Sequence, residues 1–413
     1  MRLVSVCLFT LLSMVAVLPA AAGDNIEICH FSPGGAVSKA MTVSAEAAEW
    51  HIQKHGDHIG GCIGAVIPLS VVHVTDSLSN DVIVFNGDSN TQIATLNTKK
   101  TPLRVIAAPN REFVYIPNFN SGSVSVVSIS ENAVVAVVGV GSGPQNVVFT
   151  PDSAMAYVYN VKGGSVSAVQ TSDHTVVATI GVGNGNFAAA FNNLAMSSDG
   201  RFVYVPNTAD DTISVIETAS NQVLTNVRVG TSPIAVAVTP DNQLVYVVNA
   251  QSPMSVIRTI DHTVIGTIRL DAGTQNLAIT PDGQFVYTIG NSQFVQAIST
   301  QTNTVVATIA MDQANFGTDI LIDPNSNFVY VPSAEVFIGN GALNVIDIAT
   351  QSVVARVSLE GSPKYAAMSR DGTMIYIANG PTLDIVQTSD NSLVSKVNTG
   401  GNSASGVARV DIP

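Results

Sequence analysis

The amino-acid sequence predicts an all-β protein, a β-propeller of four-stranded blades. The first observation is a repeat in which seven tyrosines, each centred in an apolar run, recur at intervals of 41 to 47 residues, close to the length of a propeller blade. These tyrosines are Tyr115, Tyr157, Tyr204, Tyr246, Tyr287, Tyr330 and Tyr376. The second observation is that short β-branched runs alternate with tight turns, such as the Thr-Pro-Asp-Gly sequence at residues 280–283, as expected for strands joined by hairpins.

The two ends of the repeat region determine the number of blades. The first unit supplies three strands, near residues 71–74, 81–85 and 92–96, and residues 406–412 resemble one more strand with nothing after it. Joining these segments completes a blade and leaves no open sheet edge. We therefore expect eight blades in a ring closed by the N- and C-terminal strands. Seven blades is the alternative, if the first three strands pack outside the ring.

The repeat resembles the YVTN family of β-propeller repeats, which occurs in prokaryotic secreted and surface-layer-like proteins. The likeness is clearest at residues 204–207, 246–249 and 305–309, which read Tyr-Val-Pro-Asn, Tyr-Val-Val-Asn and Val-Val-Ala-Thr-Ile. It covers roughly residues 70–413 and implies a propeller fold. It implies no particular activity, because the family is defined by its repeat and not by a catalytic motif.

Two segments precede the repeat. Residues 1–22 contain Arg2, an apolar run and a Pro-Ala-Ala-Ala end, which is the pattern of a secretory signal peptide, here with cleavage near Ala22. Residues 23–66 form a small Cys/His module, and residues 67–413 form the propeller. We therefore expect a secreted, periplasmic or cell-surface protein.

The small module concentrates residue types that bind metals. Its candidate ligands are Cys29, His30, His51, His55, Asp57 and Cys62. Two of these histidines are four residues apart on an expected helix and so face the same side, and this donor set suits zinc or copper. A Cys29–Cys62 disulfide is the competing interpretation, since export favours it. The module also resembles a short secreted bacterial module with Cys-His, His-Gly-Asp and Gly-x-Cys motifs, a likeness that implies no chemistry.

Composition excludes several functions. The chain has 413 residues and a net charge of −13, with no cluster of Lys and Arg, so nucleic-acid binding is not expected. After residue 22 no segment is long and apolar enough for membrane insertion. No zinc-protease, nucleophile-elbow or phosphate-loop motif is present, so the sequence identifies no catalytic or cofactor-binding residue.

We therefore expect a binding or scaffolding protein at the cell surface or in the periplasm, with an extracellular protein, a glycan or a peptide as its ligand. Two long intervals between repeats, with Phe187 and Phe191 in one and Phe337 in the other, are candidates for ligand-face loops. One alternative is a metal-handling protein acting through the Cys/His module. The other is an enzyme of lactonase or lyase type, with a site in the central channel where residues from several blades meet.

The two interpretations of the Cys/His module predict different results for the purified mature protein. A metal site predicts stoichiometric zinc or copper together with free thiols, because coordinating thiolates are not oxidised. A disulfide predicts neither metal nor free thiol. Elemental analysis and a thiol titration of one sample distinguish them, and a Cys29→Ser variant that retains its metal would contradict the metal assignment.

Overall fold

The computed structural model describes residues 25–31, 37–44, 58–59, 70–183, 193–271, 273–311, 315–335, 340–400 and 404–412. These residues form strands, bridges and turns. The contacts divide the chain into two compact units, residues 1–69 with 412–413, and residues 70–411. Among the described residues, no helix has the length and apolar character that a bilayer crossing requires.

The first unit contains a three-stranded antiparallel sheet. Its strands are β1 (Asn25–Phe31), β2 (Val37–Ser44) and β3 (His58–Ile59), in the order β2-β1-β3. The register places Cys29 of the central strand between Ala40 of β2 and His58 of β3.

The second unit consists of eight antiparallel sheets, one per blade. From the innermost strand outwards, blade 1 consists of β36 (Ala404–Asp411), β4 (Ser70–Asp76), β5 (Asp81–Asn86) and β6 (Gln92–Asn97), and blade 2 consists of β7 (Ile106–Ala107), β8 (Phe113–Asn118), β9 (Ser123–Ser128) and β10 (Ala133–Gly139). In the same order, blade 3 consists of β11 (Pro144–Phe149), β12 (Met155–Asn160), β13 (Ser165–Gln170) and β14 (Thr175–Gly181), and blade 4 consists of β15 (Ala195–Met196), β16 (Phe202–Asn207), β17 (Thr212–Glu217) and β18 (Gln222–Arg228). Blade 5 consists of β19 (Pro233–Val238), β20 (Leu244–Asn249), β21 (Met254–Arg258) and β22 (Thr263–Ile268), and blade 6 consists of β23 (Thr274–Ile279), β24 (Phe285–Gly290), β25 (Phe294–Ser299) and β26 (Thr304–Ala310). In blade 7 the short strands β27 (Asn315–Gly317) and β28 (Leu321–Ile322) are innermost, followed by β29 (Phe328–Glu335), β30 (Asn340–Asp347) and β31 (Ser352–Glu360). Blade 8 consists of β32 (Pro363–Met368), β33 (Met374–Asn379), β34 (Thr382–Gln387) and β35 (Ser392–Asn398).

The ring is closed by the C-terminal strand, as the sequence predicts. Strand β36 pairs with β4 along its length, from Ala404 opposite Asp76 to Asp411 opposite Ser70. The innermost strands of successive blades contact one another around a complete circle. The prediction of eight blades is therefore confirmed, and the seven-blade alternative is wrong because β4, β5 and β6 belong to the ring.

Burial within each blade follows the position of the strand. Second strands such as β12 are buried at nearly every residue, whereas outermost strands such as β18 alternate between exposed and buried residues. A strand that packs between two neighbouring blades needs apolar side chains on both faces, while a strand at the rim needs them on one. The continuous apolar runs around the repeat tyrosines reflect this double burial.

The turns between the first and second strands have the predicted chemistry. In blade 5 the Asp241 carboxylate accepts hydrogen bonds from the Thr239 hydroxyl, at 2.6 Å, and from the Gln243 backbone N–H, at 3.0 Å. Asn242 lies between them with a φ of 57°, and in the next blade Gly283 has a φ of 73°. Asn and Gly tolerate this left-handed backbone with the least strain.

The Asn that ends most of the tyrosine strands bonds to the next strand of its own blade. Its amide nitrogen donates chiefly to hydroxyls of the next strand, for example from Asn160 to Ser167 at 2.9 Å. The Ser-Val strand places its hydroxyls directly beside the end of the tyrosine strand, which explains this choice of partner.

Hydrogen bonds from tyrosine hydroxyls connect neighbouring blades, and we call them tyrosine clamps. The hydroxyl of Tyr157, for example, donates to Asn221 Oδ1 of the next blade at 2.8 Å. Clamps with the same geometry join Tyr115 to His174, Tyr204 to His262, Tyr246 to Asn303 and Tyr287 to Gln351. Each partner has a left-handed φ of 52° to 57°. His174 and His262 are thus turn residues whose side chains bond to the preceding blade.

Blade 1 departs from this pattern because His73 takes the place of the tyrosine. Both ring nitrogens of His73 are buried and lack a hydrogen-bond partner among the described residues, and so does Oδ1 of Asn132, which occupies the partner position in blade 2. Burial lowers the pKa of His73 to about 4. The imidazole is shorter than a phenol, so the first interface lacks the clamp that joins most other blades.

The buried His73 predicts a loss of stability in mild acid. Its pKa is lower in the folded protein than in the unfolded chain, so the unfolded chain binds a proton first as the pH falls. The free energy of unfolding should therefore drop by about 3 kcal/mol from pH 7 to pH 4, with the loss beginning near pH 6.5. Urea unfolding across this pH range measures the change.

A His73→Tyr variant should remove this loss, because a phenol does not titrate there and can reach Asn132. His262→Asn is the matched control, since blades 4 and 6 carry Asn221 and Asn303 at that position, and it should retain the loss. An unaltered acid dependence in His73→Tyr would contradict the assignment.

Candidate functional site in the central channel

The innermost strands bring one residue from each blade to the same level of the central channel. The strand registers make these residues equivalent. From blade 1 to blade 8 they are Gly406, Arg104, Asn146, Asn193, Ala235, Asn276, Asp319 and Tyr365. We call the six members with polar groups, Arg104, Asn146, Asn193, Asn276, Asp319 and Tyr365, the channel ring.

A β-bulge sets the position of this level. The register between the first and second strands shifts immediately before it, for example between Pro144 and Asn146 and between Thr274 and Asn276. A bulge re-aims a side chain and leaves a backbone group outside the ladder. The side-chain oxygens of Asn146 and Asn276 each accept the N–H of the following residue, at 2.8 and 2.9 Å. In the same way, Oδ1 of Asp319 accepts a hydrogen bond from the backbone N–H of Ile320 at 2.9 Å.

Asn193 connects five blades. Its Oδ1 accepts hydrogen bonds from Arg104 Nη1 at 2.8 Å and from Asn146 Nδ2 at 2.9 Å. Its Nδ2 donates to Asn276 Oδ1 at 3.0 Å, and its backbone N–H donates to Ile234 O of blade 5 at 3.2 Å. Side chains of blades 2, 3 and 6 therefore converge on the side-chain amide of Asn193 in blade 4.

Arg104 is the cationic member of the channel ring. Its guanidinium carbon lies 4.8 Å from the centre of the Tyr365 ring, within the range of a cation–π contact. Nη1 donates to Asn193, whereas the buried Nε has no hydrogen-bond partner among the described residues. The guanidinium is thus held by Asn193 and Tyr365, and its Nε–H lacks an acceptor among the described residues.

Asp319 is the acidic member. Its Oδ2 accepts the backbone N–H of Ala366 at 3.0 Å. Burial raises the pKa of Asp319 to about 6, against the opposing effect of that N–H and of the positive charge on Arg104. A carboxyl group with such a pKa changes its protonation near neutral pH, which is the property of a general base or of a group that bonds hydroxyl ligands.

The predicted ligand-face residues Phe187, Phe191 and Phe337 lie outside the described residues. Of the candidate metal ligands, Cys29 and His30 lie on β1, and His51, His55, Asp57 and Cys62 also lie outside the described residues. Within the part of the chain that the structure describes, no three His, Cys, Asp or Glu residues cluster as a metal site would require. The metal and loop assignments therefore stay predictions.

A shallow cleft of about 310 Å³ lies between blades 3 and 4, lined by turn residues including Asp152 and Asp199 and by Tyr157 of β12. The two carboxylates are engaged in their own turns, with Thr150 and Ser197. This cleft lacks the convergent cross-blade side chains of the channel ring. We therefore assign the candidate site to the ring.

The sequence predicts a channel site as one alternative but does not identify its members. The available signal is their spacing, because each member of the channel ring lies eleven residues before a repeat tyrosine, as Arg104 lies before Tyr115. In blades 2 to 8 this position reads Arg, Asn, Asn, Ala, Asn, Asp and Tyr. A position that is mostly polar on an otherwise apolar innermost strand indicates a function beyond packing.

Comparison with known proteins supports the fold. Residues 133–268 match the family model described as lactonase, 7-bladed β-propeller. This match spans part of the ring of eight blades and includes Asn146 and Asn193, but neither Arg104 nor Asp319. No curated protein matches the chain.

Several solved structures have similar folds. Dihydro-heme d1 dehydrogenase NirN in complex with DHE shares 16% identity at a TM-score of 0.70, covering 85% of this chain and 76% of its own. Apo AztD from Citrobacter koseri shares 13% sequence identity at a TM-score of 0.62, and the match covers 83% of this chain and 97% of AztD. Hydrazine synthase from Kuenenia stuttgartiensis shares 20% sequence identity at a TM-score of 0.55, and the match covers 72% of this chain and 95% of that chain. At such identities the likeness concerns the fold alone.

Proposed function

We propose that this chain is an exported binding protein that holds its ligand at the channel ring. The observation that carries the proposal is the convergence of side chains from three other blades on Asn193, one of them Arg104, whose positive charge also acts on the Asp319 carboxyl of the same ring. A few placed polar groups in a concave site are typical of small-ligand recognition. The ligand is therefore a small polar molecule, or the end of a glycan or peptide.

The position of the ring also favours binding over a purely structural role. Folding alone would be served by apolar residues on the innermost strands, as Ala235 serves in blade 5. Polar side chains in a buried place are costly unless they bond one another or a ligand. The ring bonds most of its own groups, and its two small positions are filled by their surroundings, since Ala235 is fully buried and a Cβ at Gly406 would meet Leu103 O at 2.5 Å.

The binding role predicts that one ring substitution abolishes ligand binding without unfolding the propeller. Asn276→Ala removes the acceptor of the Asn193 Nδ2 hydrogen bond. It should weaken binding at least about tenfold, because the Asn193 side chain is then no longer held in position. Thermal shifts with a panel of monosaccharides, amino acids and dicarboxylates identify a ligand, and calorimetry measures its affinity.

The exposed Asn110, which lies in the turn after β7, supplies the matched control. Asn110→Ala should bind as the unaltered protein does. Equal binding by Asn276→Ala, or the absence of any stabilising compound in the panel, would argue against the channel ring as the ligand site.

A second candidate function is lactone hydrolysis, favoured by the pKa of Asp319 and by the partial match to the lactonase model. In this reaction Asp319 would take a proton from water as the water oxygen bonds to the lactone carbonyl carbon. Arg104 would stabilise the oxyanion, and the ring C–O bond would break with protonation of the departing oxygen by the Asp319 acid. The product is a hydroxy acid.

This candidate predicts a characteristic pH profile. The base form of Asp319 is populated above its pKa, so kcat/KM for glucono-δ-lactone, corrected for spontaneous hydrolysis, should rise with pH through about 6. Asp319→Asn should lower it by about 10² to 10⁴, and the turn variant Asp241→Asn should not. A rate above background that survives in Asp319→Asn would exclude this role for the carboxylate.

A further inference from the structure

We propose that the channel ring recognises a carboxylate group, held by the Arg104 guanidinium, whose Nε has no hydrogen-bond partner among the described residues. The inference deepens the binding role proposed above and rests on it. It names the chemical class of the ligand: a small organic acid, or a peptide whose C-terminal carboxylate enters the channel.

The first support is the unsatisfied donor. Nε of Arg104 is buried and has no partner among the described residues, while Nη1 is bonded to Asn193. A buried donor without an acceptor destabilises the protein, and a ligand oxygen would relieve that cost. Since Nε–H and the neighbouring Nη–H point in parallel, they match the two oxygens of one carboxylate.

The second support is the rigidity of the guanidinium. The ring of Tyr365 lies against one face, 4.8 Å from the guanidinium carbon, and Asn193 fixes Nη1. Arginine normally loses much rotamer freedom on binding, but here most of that loss has occurred before the ligand arrives. Such preorganisation increases affinity.

The third support is the arrangement of amide donors around Arg104. Asn193 Oδ1 already accepts both Arg104 Nη1 and Asn146 Nδ2, which shows that donors of two blades converge on a single acceptor oxygen. Arg104 is also the one cation of the channel ring in a chain of net charge −13. An anion in the channel is therefore attracted by Arg104, and the opposing charge of Asp319 weakens as the pH falls through its pKa of about 6.

The experiment follows the Arg104 side chain directly. Full-length mature protein labelled with ¹⁵N-arginine is titrated with succinate and, separately, with neutral succinamide of the same shape. The Arg104 Nε–H signal, assigned by its disappearance in Arg104→Gln, should shift saturably with succinate and not with succinamide. N-acetyl-alanyl-alanine and its C-terminal amide form a second pair, which tests the peptide source of the carboxylate.

Three variants complete the test. Arg104→Gln should weaken succinate binding at least about tenfold. Arg104→Lys should bind with intermediate affinity, because lysine keeps the positive charge but lacks the paired N–H donors that bind a carboxylate in bidentate fashion. Arg228→Gln removes one exposed charge at the end of β18 and should bind normally. Melting curves of all variants verify that the ring is folded.

The outcomes separate this inference from the proposed function. Equal shifts with succinate and succinamide, abolished in Asn276→Ala, would overturn carboxylate recognition and leave the binding role standing. Succinate binding that persists in Arg104→Gln would likewise overturn the assignment to Arg104. The absence of any shift with all four probes would overturn it as well.

Discussion

The pairing of strand β36 with strand β4 is the constraint on which the rest of the structure depends. It joins residues more than 300 positions apart, from Ala404 opposite Asp76 to Asp411 opposite Ser70. Every blade packs between two neighbours, so an open ring would expose the apolar faces of two sheets and one unpaired edge. Closure removes both, and it makes the stability of each blade depend on the whole ring.

Within the closed ring, contacts between blades determine how well the innermost strands are positioned. The tyrosine clamps tie the strand of one blade to the left-handed turn of the next, as between Tyr157 and Asn221. They use the same Asn or His that the turn requires for its backbone conformation. Blade 1 has His73 in place of the tyrosine and makes no such connection to blade 2 among the described residues, and it is also the blade assembled from both ends of the repeat region.

The channel ring combines this rigid frame with variable chemistry. The frame repeats in every blade, but the residue after the bulge differs: Arg104, Asn146 and Asp319 occupy equivalent places. An otherwise acidic chain thereby places one guanidinium beside one carboxyl group with a pKa of about 6. The structural relatives share the frame at 13% to 20% identity, so function has to be argued from these side chains.

The sequence by itself determined the propeller, its eight blades, its closing strand and its turn residues, because strand periodicity and turn chemistry are local properties that recur with each repeat. It did not determine which hydroxyls the repeat asparagines bind, nor that Asn193 reaches Arg104, 89 residues away. Those contacts join different blades, and their partners are set by bulge position and ring closure. Only the tertiary structure brings one residue from each blade to the same level, and so only it decided where the candidate site lies.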